Sequence, residues 1–163
     1  MLGRIREGVM NRRRVMIGMS AFVSLASVRL SRAAGPTIVV TKDPNCGCCN
    51  GWVDHLRESA FAVEVRDVGD VNRIKARLGV PDDLVSCHTA EVMGYVIEGH
   101  VPAPALRRLL MERPNARGLA VPGMPVGSPG MEIPGTPPDE YDVILFGPNR
   151  RVYARFRGAT ELK

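Results

Sequence analysis

Three of the four cysteines fall within four residues, Cys46-Gly47-Cys48-Cys49, and the fourth, Cys87, stands alone. Four cysteines permit three pairings, but structural staples are usually spread along a chain, and this crowding is what a reactive or ligating site needs. Parsed as Cys46-x-x-Cys49, between a strand and a helix, the motif has the placement of a redox dithiol whose thiolates are favoured by the helix N-terminus. Parsed as Cys-x-Cys-Cys, it is a concentrated set of soft ligands. A dithiol exchanger needs only an attacking and a resolving thiol, which leaves Cys48 as a competitor for mixed disulfides. Adjacent thiolates also repel one another, and a bound cation removes that repulsion. Metal binding therefore accounts for all of the cysteines, and a thiol–disulfide oxidoreductase using Cys46 and Cys49 is the alternative reading.

Ligand softness narrows the metal to Cu(I), zinc or an iron–sulfur cluster. Structural zinc takes separated ligand pairs. The second pair here would be Cys87-His88, neighbours whose side chains are expected to diverge. An iron–sulfur cluster more often shows wider cysteine spacing. Adjacent sulfurs pointing apart fit bridging between several Cu(I) ions, so Cys46, Cys48, Cys49 and Cys87 are the expected copper ligands. Met124 and Met131 offer thioethers, although gap filling or partner contact is the commoner use of such residues. Among the histidines, His88 beside Cys87 leads; His55 reads as a polar helix-face residue or a neighbour of the site, and His100 as ordering the loop before Pro102. Trp52 reads as core that could also shield the site from water.

The elements that must position these residues follow from the pattern. Thr37 to Thr41 is a β-branched run ended by Lys42-Asp43-Pro44-Asn45, a strand entering a turn. Gly51 to Ala60 has helical periodicity, with Trp52, Val53, Leu56 and Ala60 on one face. Ala62 to Val68 alternates as a half-buried strand does. Asp70 can cap a second helix with Val71, Ile74 and Leu78 inward, closed by Gly79 and Pro81. This order predicts a parallel pair with a crossover, hence an α/β layered domain with a mixed central sheet. Met93 to Ile97 reads as a strand, and Pro104 opens a helix that carries Leu106, Leu109 and Leu110 and ends at Pro114. Gly118 to Pro138 is a long Gly/Pro-rich loop, uncommon in a compact domain and often functional. Tyr141 to Phe146 and Arg151 to Phe156 flank Gly147-Pro148-Asn149 as a C-terminal hairpin.

The first 33 residues read as an export signal. Arg12-Arg13-Arg14 precedes a moderately apolar run that ends near Val28, too short to span a bilayer, with small residues before a cut after Ala33. Paired arginines ahead of a weakly apolar stretch favour the twin-arginine route. Residues 1–33 hold seven arginines and one glutamate, whereas 34–163 hold 15 Lys+Arg against 16 Asp+Glu, so the net +5 belongs to the leader. The remainder offers no basic surface for nucleic acid, and no stable membrane insertion is expected once the signal is removed. A periplasmic location is expected, with the thiols in an oxidising compartment.

Across about Thr37 to Phe156 the chain resembles the CopG-like copper-resistance proteins, a predicted metal-binding family. The resemblance is carried by Cys46-Gly47-Cys48-Cys49 with Trp52 and His55-Leu56, by Ser86-Cys87-His88-Thr89, by Gly94 to Pro102 and by Gly118 to Glu132. It implies a thioredoxin-like fold and a cysteine-bridged cluster of several Cu(I) ions on Cys46, Cys48, Cys49 and Cys87. It also implies a role in copper resistance, with other copper-export or copper-resistance proteins as partners, and redox activity at the metal. It further suggests a cis bond at Val101-Pro102 facing the cysteines.

Overall fold

The computed structural model describes residues 35–163, together with Gly3; the expected export signal lies outside the described residues. The chain runs β1 (Ile38–Lys42), α1 (Gly47–Glu58), β2 (Val63–Asp67), α2 (Val71–Leu78), a 3-10 turn (Asp82–Leu84), β3 (Thr89–Val92), β4 (Tyr95–Glu98), α3 (Ala103–Glu112), β5 (Gly118–Ala120), β6 (Glu140–Phe146), β7 (Arg151–Arg157) and β8 (Thr160–Leu162). The eight strands form one open sheet in the order β2-β1-β3-β4-β5-β6-β7-β8. β1 pairs in parallel with β2 and β4 with β5, and the other neighbours are antiparallel. The architecture is mixed α/β, as the strand–helix alternation predicted. No helix among the described residues is long and apolar enough to cross a membrane.

Alternation along the strands separates two cores. Ile97, Leu119 and Leu145 join Trp52, Val53 and Leu56 of α1 and Ala105, Leu106 and Leu109 of α3. Their sequence neighbours Val96, Ala120 and Phe146 join Leu78 of α2 with Val80 and Leu84. Successive strand side chains point to opposite faces, so α1 and α3 cover one face of the sheet and α2 the other.

Local signals account for most element ends. Asp70 Oδ1 accepts from Arg73 N at 3.0 Å, and Gly79 closes α2 in the left-handed conformation. Several expectations need correction. α1 starts at Gly47, so Cys48 and Cys49 lie within its first turn. α3 ends at Glu112 and is capped by Arg113, left-handed with φ 48°, just before Pro114. Thr89–Val92 and Thr160–Leu162 are strands that the pattern did not reveal, and Gly118 opens a strand instead of the loop. The described residues contain no cis peptide bond, so Val101-Pro102 is trans. Pro102, at φ −64° and ψ 143°, serves as the extended residue leading into α3.

A side chain at Gly118 would overlap the Val96 carbonyl on β4. Gly118→Ala should part β4 from β5 and lower stability by about 1–3 kcal/mol, a loss to be read from equilibrium urea unfolding.

Candidate soft-metal and redox site

The sheet register gathers the site at one end. β1 is followed by the loop into α1, and its Thr41 pairs with Thr89, the residue just after Cys87-His88. Thr89 in turn pairs with Glu98 at the end of β4, two residues before His100. Glu98 pairs with Ala120 at the end of β5, from which the Gly/Pro-rich loop departs. The exits of β1, β4 and β5 and the entrance of β3 therefore lie side by side, each delivering one part of the site.

Cys46 is the residue preceding α1, and no side chain caps the first turn of that helix. The uncapped N–H groups and the helix dipole face the cysteines, a setting that favours negative charge. Cys46 and Cys49 are joined by a disulfide, while Cys48 and Cys87 are free thiols. Cys46 Sγ lies 3.5 Å from Cys48 Sγ, and Cys48 Sγ lies 3.8 Å from Cys87 Sγ. All four sulfurs fall within 4.8 Å of one another.

A second convergence shares Cys87. Its Sγ is 3.2 Å from His88 Nδ1 and 3.1 Å from His100 Nε2, so the adjacent Cys87 and His88 side chains converge where the sequence suggested divergence. Both rings are fully buried. His100 Nδ1 lies 2.8 Å from the Pro129 carbonyl, which can only accept, so this nitrogen carries the proton and Nε2 presents its lone pair to Cys87. His88 Nε2 is buried with no partner. The Trp52 ring centroid lies 4.3 Å from that of His88 with the planes tilted by 37°, and Nε1 donates to the Val101 carbonyl at 2.9 Å. Trp52 is thus both core and wall of the site.

His55 has a different task. Its Nε2 accepts from Ala103 N at 3.1 Å, supplying to the first residue of α3 the acceptor that Pro102 lacks. The Gly/Pro loop is an ordered strap over the cysteines. The Ser86 hydroxyl donates to the Gly123 carbonyl, and Gly130 lies against the first turn of α1. A side chain at Gly51 would come within 2.9 Å of Gly130 Cα, and one at Gly130 within 2.6 Å of the Cys48 carbonyl. Met124 on this strap is exposed.

Electrostatics separate the donors. Burial, reinforced by the neighbouring Cys48, pushes the Cys87 thiol up to about 12, so only a nearby cation would make it a thiolate at neutral pH. Burial lowers His88 well below the ordinary imidazole value and lowers His100 as well, keeping both rings neutral. Two uncharged imidazoles beside four sulfurs form a donor set that fits a soft cation. In the disulfide form two of those sulfurs are spent, and two-electron reduction returns them. Sequence reasoning gave His100 no place in this group; a histidine between a buried strand and a Val-Pro turn was the available signal.

A model of the family described as "Protein of unknown function, DUF411" matches residues 84–131, which include Cys87, both buried histidines and the first part of the strap. Two solved structures are similar along most of the chain. One, described as copper resistance protein copG, form 2, is 43% identical with a TM-score of 0.71, and form 1 is 44% identical with a TM-score of 0.69. Each match covers 75% of this chain and 98% of that one. No curated protein matches.

Because His55, His88 and His100 are all held below their ordinary value, the unfolded chain binds more protons than the folded one as pH falls through about 6.5. Their contribution is present above that range and lost below it. The urea midpoint should therefore fall between about pH 7.5 and about pH 5.5, and fall less in His88→Phe. His55→Ala should cost about 1 kcal/mol through the lost cap on α3, measured by the same unfolding at neutral pH.

Proposed function

Because the chain belongs to the CopG-like family of copper resistance proteins, we propose that it binds Cu(I) through Cys46, Cys48, Cys49 and Cys87 as a thiolate-bridged group of several ions. The observation that carries this reading is the convergence of four sulfurs within 4.8 Å, one of them from a distant part of the chain. Copper is the cargo here and the protein its holder. Soft thiolates prefer Cu(I), and the positive charge of the ions offsets the repulsion that four neighbouring thiolates would otherwise generate. Binding requires the Cys46–Cys49 disulfide to be reduced and Cys87 to lose its proton, so loading releases protons and strengthens as pH rises.

We place the protein in the periplasm, after twin-arginine export and removal of the signal, where it works in copper resistance alongside other copper-handling proteins. The β1-α1-β2-α2-β3-β4-α3 segment is read as thioredoxin-like, with the cysteines at the start of its first helix. The disulfide favours a second reading, a thiol–disulfide oxidoreductase in which Cys46 and Cys49 cycle.

One titration separates the two. The reduced protein, kept anaerobic, should take up more than one equivalent of Cu(I), and Cys48→Ser should abolish the excess. Uptake of no Cu(I), together with efficient disulfide exchange that survives Cys48→Ser, would leave only the oxidoreductase.

A further inference from the structure

Two charged side chains lie buried behind the sulfur site. Lys75 of α2 and Glu98 of β4 have side chains 3% and 0% exposed, with Nζ 2.5 Å from Oε1. Desolvation weighs on both, pushing Lys75 down and Glu98 up, while each opposes the shift of the other. Such a pair contributes little net stability, because well-packed apolar residues usually serve as well or better. Its position is what distinguishes it. The same Glu98 Oε1 accepts from Ser86 N at 2.7 Å. On the far side of Cys87, Gly99 N donates to the His88 carbonyl at 3.1 Å.

Cys87 is therefore suspended between two peptide groups, both tied to the end of β4. These groups belong to the Val85–Ser86 and His88–Thr89 peptides, so the segment Ser86-Cys87-His88 is pinned at both ends and has little freedom to swing Cys87 away from Cys48. Ser86 lies in the irregular stretch between the 3-10 turn and β3. Its amide has no ladder partner, and the Glu98 carboxylate supplies a charge-assisted acceptor instead. Lys75 reaches this carboxylate from the face of the sheet opposite α1, so the second core is tied to the site on the first.

We propose that Lys75 and Glu98 are positioning residues for the sulfur site: Glu98 holds the Ser86 amide, and so the short segment that presents Cys87 Sγ to Cys48, and Lys75 holds the carboxylate in place. Its consequence for copper rests on the reading above. Its geometric half does not.

The test uses the full chain carrying Cys46→Ser and Cys49→Ser, in which Cys48 and Cys87 are the remaining thiols. Diamide oxidises the pair: one S–S bond forms, and two electrons and two protons pass to its N=N bond. Into this background go Glu98→Gln and, separately, the apolar replacement Lys75→Met with Glu98→Leu. Both should slow Cys48–Cys87 coupling by about tenfold, the scale of one hydrogen bond to a charged group. The urea midpoint of the apolar double replacement should stay level or rise. In the four-cysteine protein the same changes should weaken Cu(I) retention about tenfold against a competing chelator.

Coupling within about twofold of the parent in both variants would overturn the proposal, because a pair serving stability alone would leave the rate unmoved. If the apolar replacement does not fold, the coupling rate of Glu98→Gln decides. Slowed coupling in a protein that holds no Cu(I) would uphold the positioning role and sink the copper reading, so the two can fail separately.

Discussion

Cys87 must meet Cys48 across 39 residues of chain, and the rest of the site depends on that meeting. Three of the sulfurs gather at the start of α1, with Cys46 preceding the helix and Cys48 and Cys49 in its first turn. The fourth sulfur comes in from the sheet. The antiparallel pairing of Thr41 with Thr89 accomplishes this, because it sets the departure of the chain toward α1 beside its arrival at β3. A slip of one residue in that pairing would turn every inward side chain of β3 to the other face and carry Cys87 with it.

Once β1 and β3 are adjacent, the remaining parts follow from the same edge. The tight hairpin through Met93 and Gly94, both at positive φ, returns β4 to the end where β3 began. This delivers His100 to Cys87, and β5, parallel to β4, delivers the strap. The strap then acts in two ways at once. The Pro129 carbonyl selects the tautomer of His100, and Gly130 lies on α1 closely enough that both contacting residues lack a side chain. Trp52 completes the enclosure by joining the α1 core to the His88 ring.

How far this was legible depends on whether the information was local. The helix cap at Asp70, the stop at Gly79, the parallel β1/β2 pair and the C-terminal hairpin announce themselves in a few neighbouring residues, and they appear where expected. The crowding of Cys46, Cys48 and Cys49 was visible for the same reason. That Cys87 should join them came from its residue type, and the register that brings it there could not be read from the sequence. β3 escaped notice because Thr89–Val92 has only four residues and follows a chemically conspicuous pair. Glu98 and Lys75 escaped because a charge within an apolar pattern normally marks the solvent side, and here both charges face inward toward each other. His55 sits on a helix as its periodicity implied, yet its partner is the start of a different helix, a contact set by the packing of α1 and α3 on the same face.

On the copper reading, the disulfide and the four-thiolate site draw on the same two sulfurs, which links redox state to metal binding. A cation that binds only the reduced form stabilises it in proportion to its affinity and concentration. On the copper reading, loading therefore makes the Cys46–Cys49 pair harder to oxidise, by about 30 mV for every ~1.4 kcal/mol of preferential binding. Conversely, oxidation of that pair leaves Cys48 and Cys87 as the free thiols, with Cys87 still beside His88 and His100, a smaller and harder set of donors. Cys87 belongs to both groups, so the residue whose position depends on the long-range register is also the one that both states of the site share.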